Sequence, residues 1–197
     1  MRGGTARLGG GKACHGLSIL AITVGLIVSA CAAQPAPGAS PGPSGPAATA
    51  NAKATDGQFE LDFSLRTTSW SASEPIEGTA SLSVATAVEV SGSGEGILGF
   101  NYDEVGGLGR HIEWVETADC RPYQLQPGAP LTSGLKKAGG YEPGASGADF
   151  LASFFADPVV HLPAGTWTIT ALASFVSQGC QLPSHELSAP ITIDVTP

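Results

Sequence analysis

Basic side chains are scarce in this 197-residue chain, where nine Lys and Arg stand against 17 Asp and Glu. Three of the nine, Arg2, Arg7 and Lys12, precede residue 31, whereas every acidic residue lies at Asp56 or beyond. Six cations therefore face 17 anions after residue 31, a formal charge of −11. That balance argues against a nucleic-acid partner, whose phosphates demand a basic face, and against electrostatic docking on anionic lipid. Methionine occurs once, at Met1. The one Gly-x-Ser-x-Gly match, Gly38 to Gly42, lies in an Ala/Pro/Gly-rich stretch, and no βαβ rhythm exists to make a nucleophile elbow of it, which argues against a serine hydrolase. Long apolar runs are missing too. The best, Leu17 to Val28, reaches roughly 18 Å as a helix, short of the roughly 20 residues a membrane span needs.

What is present at the N-terminus has the three-part form of an export signal: a basic start, the apolar run, then small residues. The run ends in Val28-Ser29-Ala30-Cys31, which resembles the lipobox of bacterial lipoproteins. The resemblance implies cleavage before Cys31, a diacylglycerol on its thiol, and a lipid-anchored chain on the extracytoplasmic side of the cell membrane. Residues 1–30 are then the signal peptide. Cys14 leaves with the signal and Cys31 is used by lipid, so Cys120 and Cys180 remain, a pair expected to form a disulfide in an oxidising compartment.

Residues 31–56 follow as a tether, because 32–55 hold nine Ala, five Pro and three Gly with no aromatic or branched aliphatic residue to build a core. The pattern changes at the folded domain, expected over 57–197. Phe59, Leu61, Phe63 and Leu65 alternate with Glu60, Asp62, Ser64 and Arg66, the mark of a strand with one face buried. Similar alternations surround Leu82, Val90, Ile112 with Trp114, Trp167 to Phe175, and Ile191 to Val195. Ser146 to Phe155 dissents: Phe150, Leu151, Phe154 and Phe155 suit a short helix capped by Ser146 and closed by Pro158. Seven or eight strands with one short helix predict an all-β, antiparallel sandwich. The stretch His161 to Ala171, with its Pro-Gly turn before a Gly-Thr-Trp strand, is similar to the last hairpin of bacterial immunoglobulin-like domains.

Chemistry-bearing constellations are few. His111, His161 and His185 show no spacing that places two on one metal, and the strand pattern puts His111 on the wet side. Cys180 with His185 is faintly similar to the ligand loop of blue-copper proteins, but that use would strand Cys120, and the axial methionine is missing. Asp103-Glu104 and Glu74 with Glu77 are the pairs whose oxygens suit calcium, against the plainer reading of solvated acids. Gly92 to Gly96 reads as a hairpin turn. Neither a catalytic set nor a cofactor is expected. The longest stretch without strand alternation, 126–149, carries Lys136-Lys137 and Tyr141, the candidate contact for a protein or other envelope component. The expectation is a non-catalytic, membrane-anchored envelope lipoprotein that presents a binding module. A second reading is an inhibitor of proteases or other hydrolases that uses the 126–149 loop. A metal-handling or enzymatic lipoprotein ranks below both.

Overall fold

The computed structural model describes residues 49–197 apart from 118 and 145. The expected signal peptide, Cys31 and the tether up to residue 48 lie outside the described residues. Folding starts earlier than the composition predicts, because strand β1 (Ala50–Asp56) pairs antiparallel along the whole of β2 (Phe59–Leu65). The tether expected over 31–56 therefore loses its last seven residues to the sheet. Alanines at 50, 52 and 54 pack at the core margin, and Lys53 binds Glu60 at 3.1 Å and Asp62 at 2.8 Å on the wet face. Backbone pairing with an apolar neighbour carries a strand whose own side chains bury little.

Two sheets form the domain. The first has the order β1-β2-β4-β9, with β4 (Gly78–Val84) and β9 (Leu131–Gly134). The second runs β3-β11-β10-β5-β8, from β3 (Ser69–Ser71), β11 (Gln181–Thr196), β10 (Gly165–Gln178), β5 (Val88–Ser93) and β8 (Cys120–Leu125). Strand β6 (Leu98–Glu104) pairs with β10 and with the two-residue β7 (His111–Ile112). Among the described residues eleven strands stand where seven or eight were expected, and one pairing, β3 on β11, is parallel.

The inward residues of β2 meet those of β6 and β10 across the sandwich: Phe63 lies 5.8 Å from Phe100, and Phe59 lies 4.7 Å from Phe175. Leu61, Trp167, Ile169 and Ala171 are fully buried between the sheets. Close packing of that kind is what fixes one arrangement of two sheets. The result is an all-β sandwich.

The glycine-rich run does not form a hairpin. β5 and β6 lie on the same side of β10, with Val176 opposite Ser91 and Ala173 opposite Leu98. Gly94–Ile97 is thus an excursion between two stretches of one path along β10, closed by Gly96 N–H donating to Ser93 O at 3.1 Å. Its side chain Ile97 is driven into the core, and a Cβ at Gly92 would lie 2.4 Å from that side chain. Beyond the excursion the path forks, because β5 takes β8 as partner and β6 takes β7.

The helix α1 (Ala148–Ala156) sits where the aromatic spacing predicts. Its cap differs: Gly147, in the left-handed region at φ 80°, occupies the N-cap, and Ser146 supplies no capping bond. Among the described residues no helix is long and apolar enough to cross a membrane.

Candidate functional site

The lysine pair expected to meet a partner is largely spent inside the domain. Lys137 Nζ donates to the carbonyl oxygens of Phe154 and, at 2.8 Å, Asp157, which closes the C-terminal end of α1. It also lies 4.2 Å from the centre of the Phe154 ring, and burial pushes its pKa down. Lys136 carbonyl oxygen accepts the Tyr102 hydroxyl at 2.7 Å, and burial pushes that hydroxyl's pKa up. Tyr141 stacks on Phe155 with ring centres 6.4 Å apart. The 126–149 segment is therefore pinned: 131–134 are strand β9, and the segment's later residues lie against α1. Between these fixed points the segment is largely at the surface: 126–130 and 139–144, Tyr141 included, are exposed, and Lys136 is half-buried with its ammonium 3.5 Å from Glu95 O.

Each candidate calcium carboxylate has a cationic or histidine partner of its own. Glu104 holds Arg110, Asp103 holds His111, and Glu74 and Glu77 share Arg66. Glu104 is the most constrained. Its oxygens accept the backbone N–H groups of Leu108 and Arg110, both at 3.2 Å, and the Arg110 guanidinium at 2.9 and 2.7 Å. The guanidinium bonds hold its pKa down at about 2 against the opposing effect of burial. Arg110 in turn lies over Phe150 and Trp167, 4.9 and 5.2 Å from the ring centres.

The three histidines are dispersed. His111 faces Asp103, His161 is 3.9 Å from Asp157, and His185 bonds Asp56 while its ring packs on Phe59 and Phe175. Among the described residues no three potential ligands gather around one point.

Cys120 and Cys180 form a disulfide with Cα atoms 5.9 Å apart. Cys120 opens β8, and Cys180 sits in the β10–β11 turn, from which 181–186 run on as the start of β11. β7 and β10 are both antiparallel to β6 and so run the same way.

Sequence reasoning missed the feature that most resembles a binding site. Between β7 and β8 the chain crosses the outer face of the second sheet, and Trp114 lands on Gly99. A Cβ there would be 1.9 Å from the indole, so only glycine admits the ring at that depth. The Trp114 amide N–H donates to Asn101 Oδ1 at 2.7 Å and fixes the crossing. Beside the indole lies a groove of about 460 Å³, lined by Leu172, Ser174, Ser188 and three carboxylates, Glu113, Glu116 and Glu186. The available signal was Glu113-Trp114-x-Glu116, a tryptophan flanked by acids, although nothing in the periodicity links it to Gly99, on which the ring lies.

Comparison with known proteins finds no family model that matches the chain and no curated protein that matches it in sequence. The class is set by the fold alone: a disulfide-linked, all-β sandwich with an acidic, tryptophan-walled groove on the outer face of its larger sheet.

Proposed function

We propose that the protein is a non-catalytic binding module of the cell envelope, an immunoglobulin-like sandwich held to the extracytoplasmic side of the membrane through a lipid on Cys31. The observation that supports this reading best is the order of parts. A lipobox-like Val28-Ser29-Ala30-Cys31 is followed by an Ala/Pro/Gly stretch, and the first strand among the described residues is Ala50–Asp56. A disulfide fits an oxidising space outside the cytoplasm.

The test is Cys31→Ser. The substituted chain is expected in soluble fractions without fatty-acid label, while the unaltered chain stays with membranes and takes up label, since two acyl chains hold stably where one does not. A Cys31→Ser chain that remains membrane-bound, with no label on the unaltered one, overturns the anchor.

A further inference from the structure

We propose that the end of the sandwich at which the described chain enters docks on the lipid surface, with Leu108 and Val105 of the β6–β7 turn set among the headgroups and upper acyl chains. The proposal deepens the membrane-anchored reading and rests on it.

The starting observation is an apolar turn held in place. Leu108 is 83% exposed and Val105 55%, and Gly106, Gly107 and Gly109 make up the rest of the turn before Arg110. Turns that face water usually carry polar side chains. Here the polar contacts lie beneath the tip, where Glu104 accepts the Leu108 and Arg110 N–H groups together with the Arg110 guanidinium. The Val105 N–H donates to Thr166 O at 2.9 Å. The leucine is therefore presented from a closed turn, at little ordering cost to whatever receives it.

Strand register places that tip at the end where the described chain enters. Ala50 lies opposite Leu65 on β2, and Leu65 lies opposite Gly78 on β4. In the second sheet Trp167 lies opposite both Glu104 and Ile193, and Trp70, just past the end of β2, lies opposite Val195. Ala50, Leu65, Trp70 and Glu104 thus share one end, whereas Phe59 on Phe175 and Asp56 on His185 mark the other. Val159, 42% exposed, belongs to the first end, because its neighbour Val160 accepts the Ile76 N–H at 2.9 Å just before β4. Three of the five exposed large hydrophobic residues among the described ones therefore lie where the chain comes in. Eighteen residues separate Cys31 from Ala50, so a lipid on Cys31 holds this end within roughly 70 Å of the membrane.

Charge favours the same orientation. At the entry end Glu74, Glu77, Asp103, Glu104 and Asp157 stand beside Arg66, His111, Arg110 and His161, which leaves Asp149 and Asp194 as the acids outside such pairs. Glu95, Glu116 and Glu186 are in no ion pair among the described residues, and they lie towards the other end, near Ser93, Thr117 and Ser174. An anionic lipid surface repels that far end and leaves the paired, apolar end turned towards itself.

The experiment compares amide hydrogen exchange of the lipid-bearing chain in vesicles of phosphatidylethanolamine and phosphatidylglycerol, about 7:3, with that of the exported Cys31→Ser chain in solution. Exchange over 105–109 should slow by about threefold or more on the vesicles, while 94–97 at the far end stays within about 1.5-fold. Val105→Ser/Leu108→Ser, confirmed as folded by its melting curve, should abolish the slowing. Val115→Ser, at an equally exposed site on the outer sheet face, should keep it. The proposal is overturned if the turn is not slowed, if both ends slow equally, or if the serine pair changes nothing. Slowing that fades on about tenfold dilution of protein in lipid assigns the turn to a second copy of the chain and overturns it too. A Cys31→Ser chain held through a hexahistidine ahead of residue 31 on a nickel-chelating lipid repeats the comparison without an acyl group. Loss of fatty-acid label, which overturns the anchor, is thereby told apart from failure of the docking.

Discussion

Arg110 reaches back across the β6–β7 turn to clasp Glu104 with two parallel hydrogen bonds, Nε to Oε2 at 2.9 Å and Nη2 to Oε1 at 2.7 Å. The same carboxylate takes the N–H groups of Leu108 and Arg110, so one side chain closes the whole turn. Gly106, Gly107 and Gly109, all at positive φ, give the chain the left-handed bends that this closure needs.

Glu104 makes stability depend on acid. Its pKa is depressed in the folded state to about 2 from an ordinary value of 4.5, so its contribution is complete above about pH 4.5 and disappears as pH falls towards 2. The depression corresponds to about 3 kcal/mol at most. Chemical denaturation of Glu104→Gln across pH 2–6 should show a lower plateau and a flatter slope in that window than the unaltered chain. Equal slopes would remove Glu104 as a source of acid sensitivity.

Arg110→Ala leaves the Glu104 carboxylate nearly buried and uncovers the faces of Phe150 and Trp167. A loss of about 3 kcal/mol is expected, most of it from the stranded charge. Arg110→Ala/Glu104→Gln should recover part of that loss. A double variant no more stable than the single one would show that the aromatic cover matters more than the charge.

The disulfide closes a stretch of 60 residues. On the chain-entropy account, Cys120→Ser/Cys180→Ser should cost about 4 kcal/mol. Titration of the unaltered exported chain in denaturant should find no free thiol at either position, and reduction should lower its melting temperature towards that of the double variant.

Gly99→Ala forces a methyl group into the Trp114 indole. Either the ring leaves the sheet face or the strand shifts, at a cost of about 1–3 kcal/mol. Near-ultraviolet circular dichroism would register the displaced tryptophan even where the melting temperature moved little, and a spectrum unchanged by the substitution would contradict the close approach.

The adjacent lysines should separate. Lys137→Ala removes the donor that closes α1 and is expected to cost about 1 kcal/mol, whereas Lys136→Ala, whose ammonium lies 3.5 Å from Glu95 O, should change stability by less than about half of that. Urea denaturation of the two variants side by side makes the comparison.

Strands whose inward face carries large side chains were legible residue by residue: Phe59 to Leu65 form β2 over the stretch that the alternation marks, and Trp167 to Phe175 lie within β10. β1 was not, because Ala50, Ala52 and Ala54 carry too little apolar surface to leave a periodic trace, and its formation depends on β2 being there to receive it. The glycine-rich 92–96 run misled for a related reason. Local turn chemistry marks a change of direction, but whether flanking strands pair with each other or with a third, here β10, is decided by contacts about 80 residues away in sequence. Lys137 illustrates the limit for sites. Two adjacent lysines in an acidic chain look available until the carbonyl ends of a helix are seen to occupy one of them.

The free borders of the sheets bear on behaviour at high concentration. An exposed strand edge is a template on which another copy of the chain can lay a strand, the first step towards insoluble assemblies. β8 carries Pro122, which has no N–H to offer, while β3 and β9 are only three and four residues long. Those three borders thus leave a neighbour little backbone to pair with, whereas β1, a border of seven residues without proline, is where crowding would first turn into assembly.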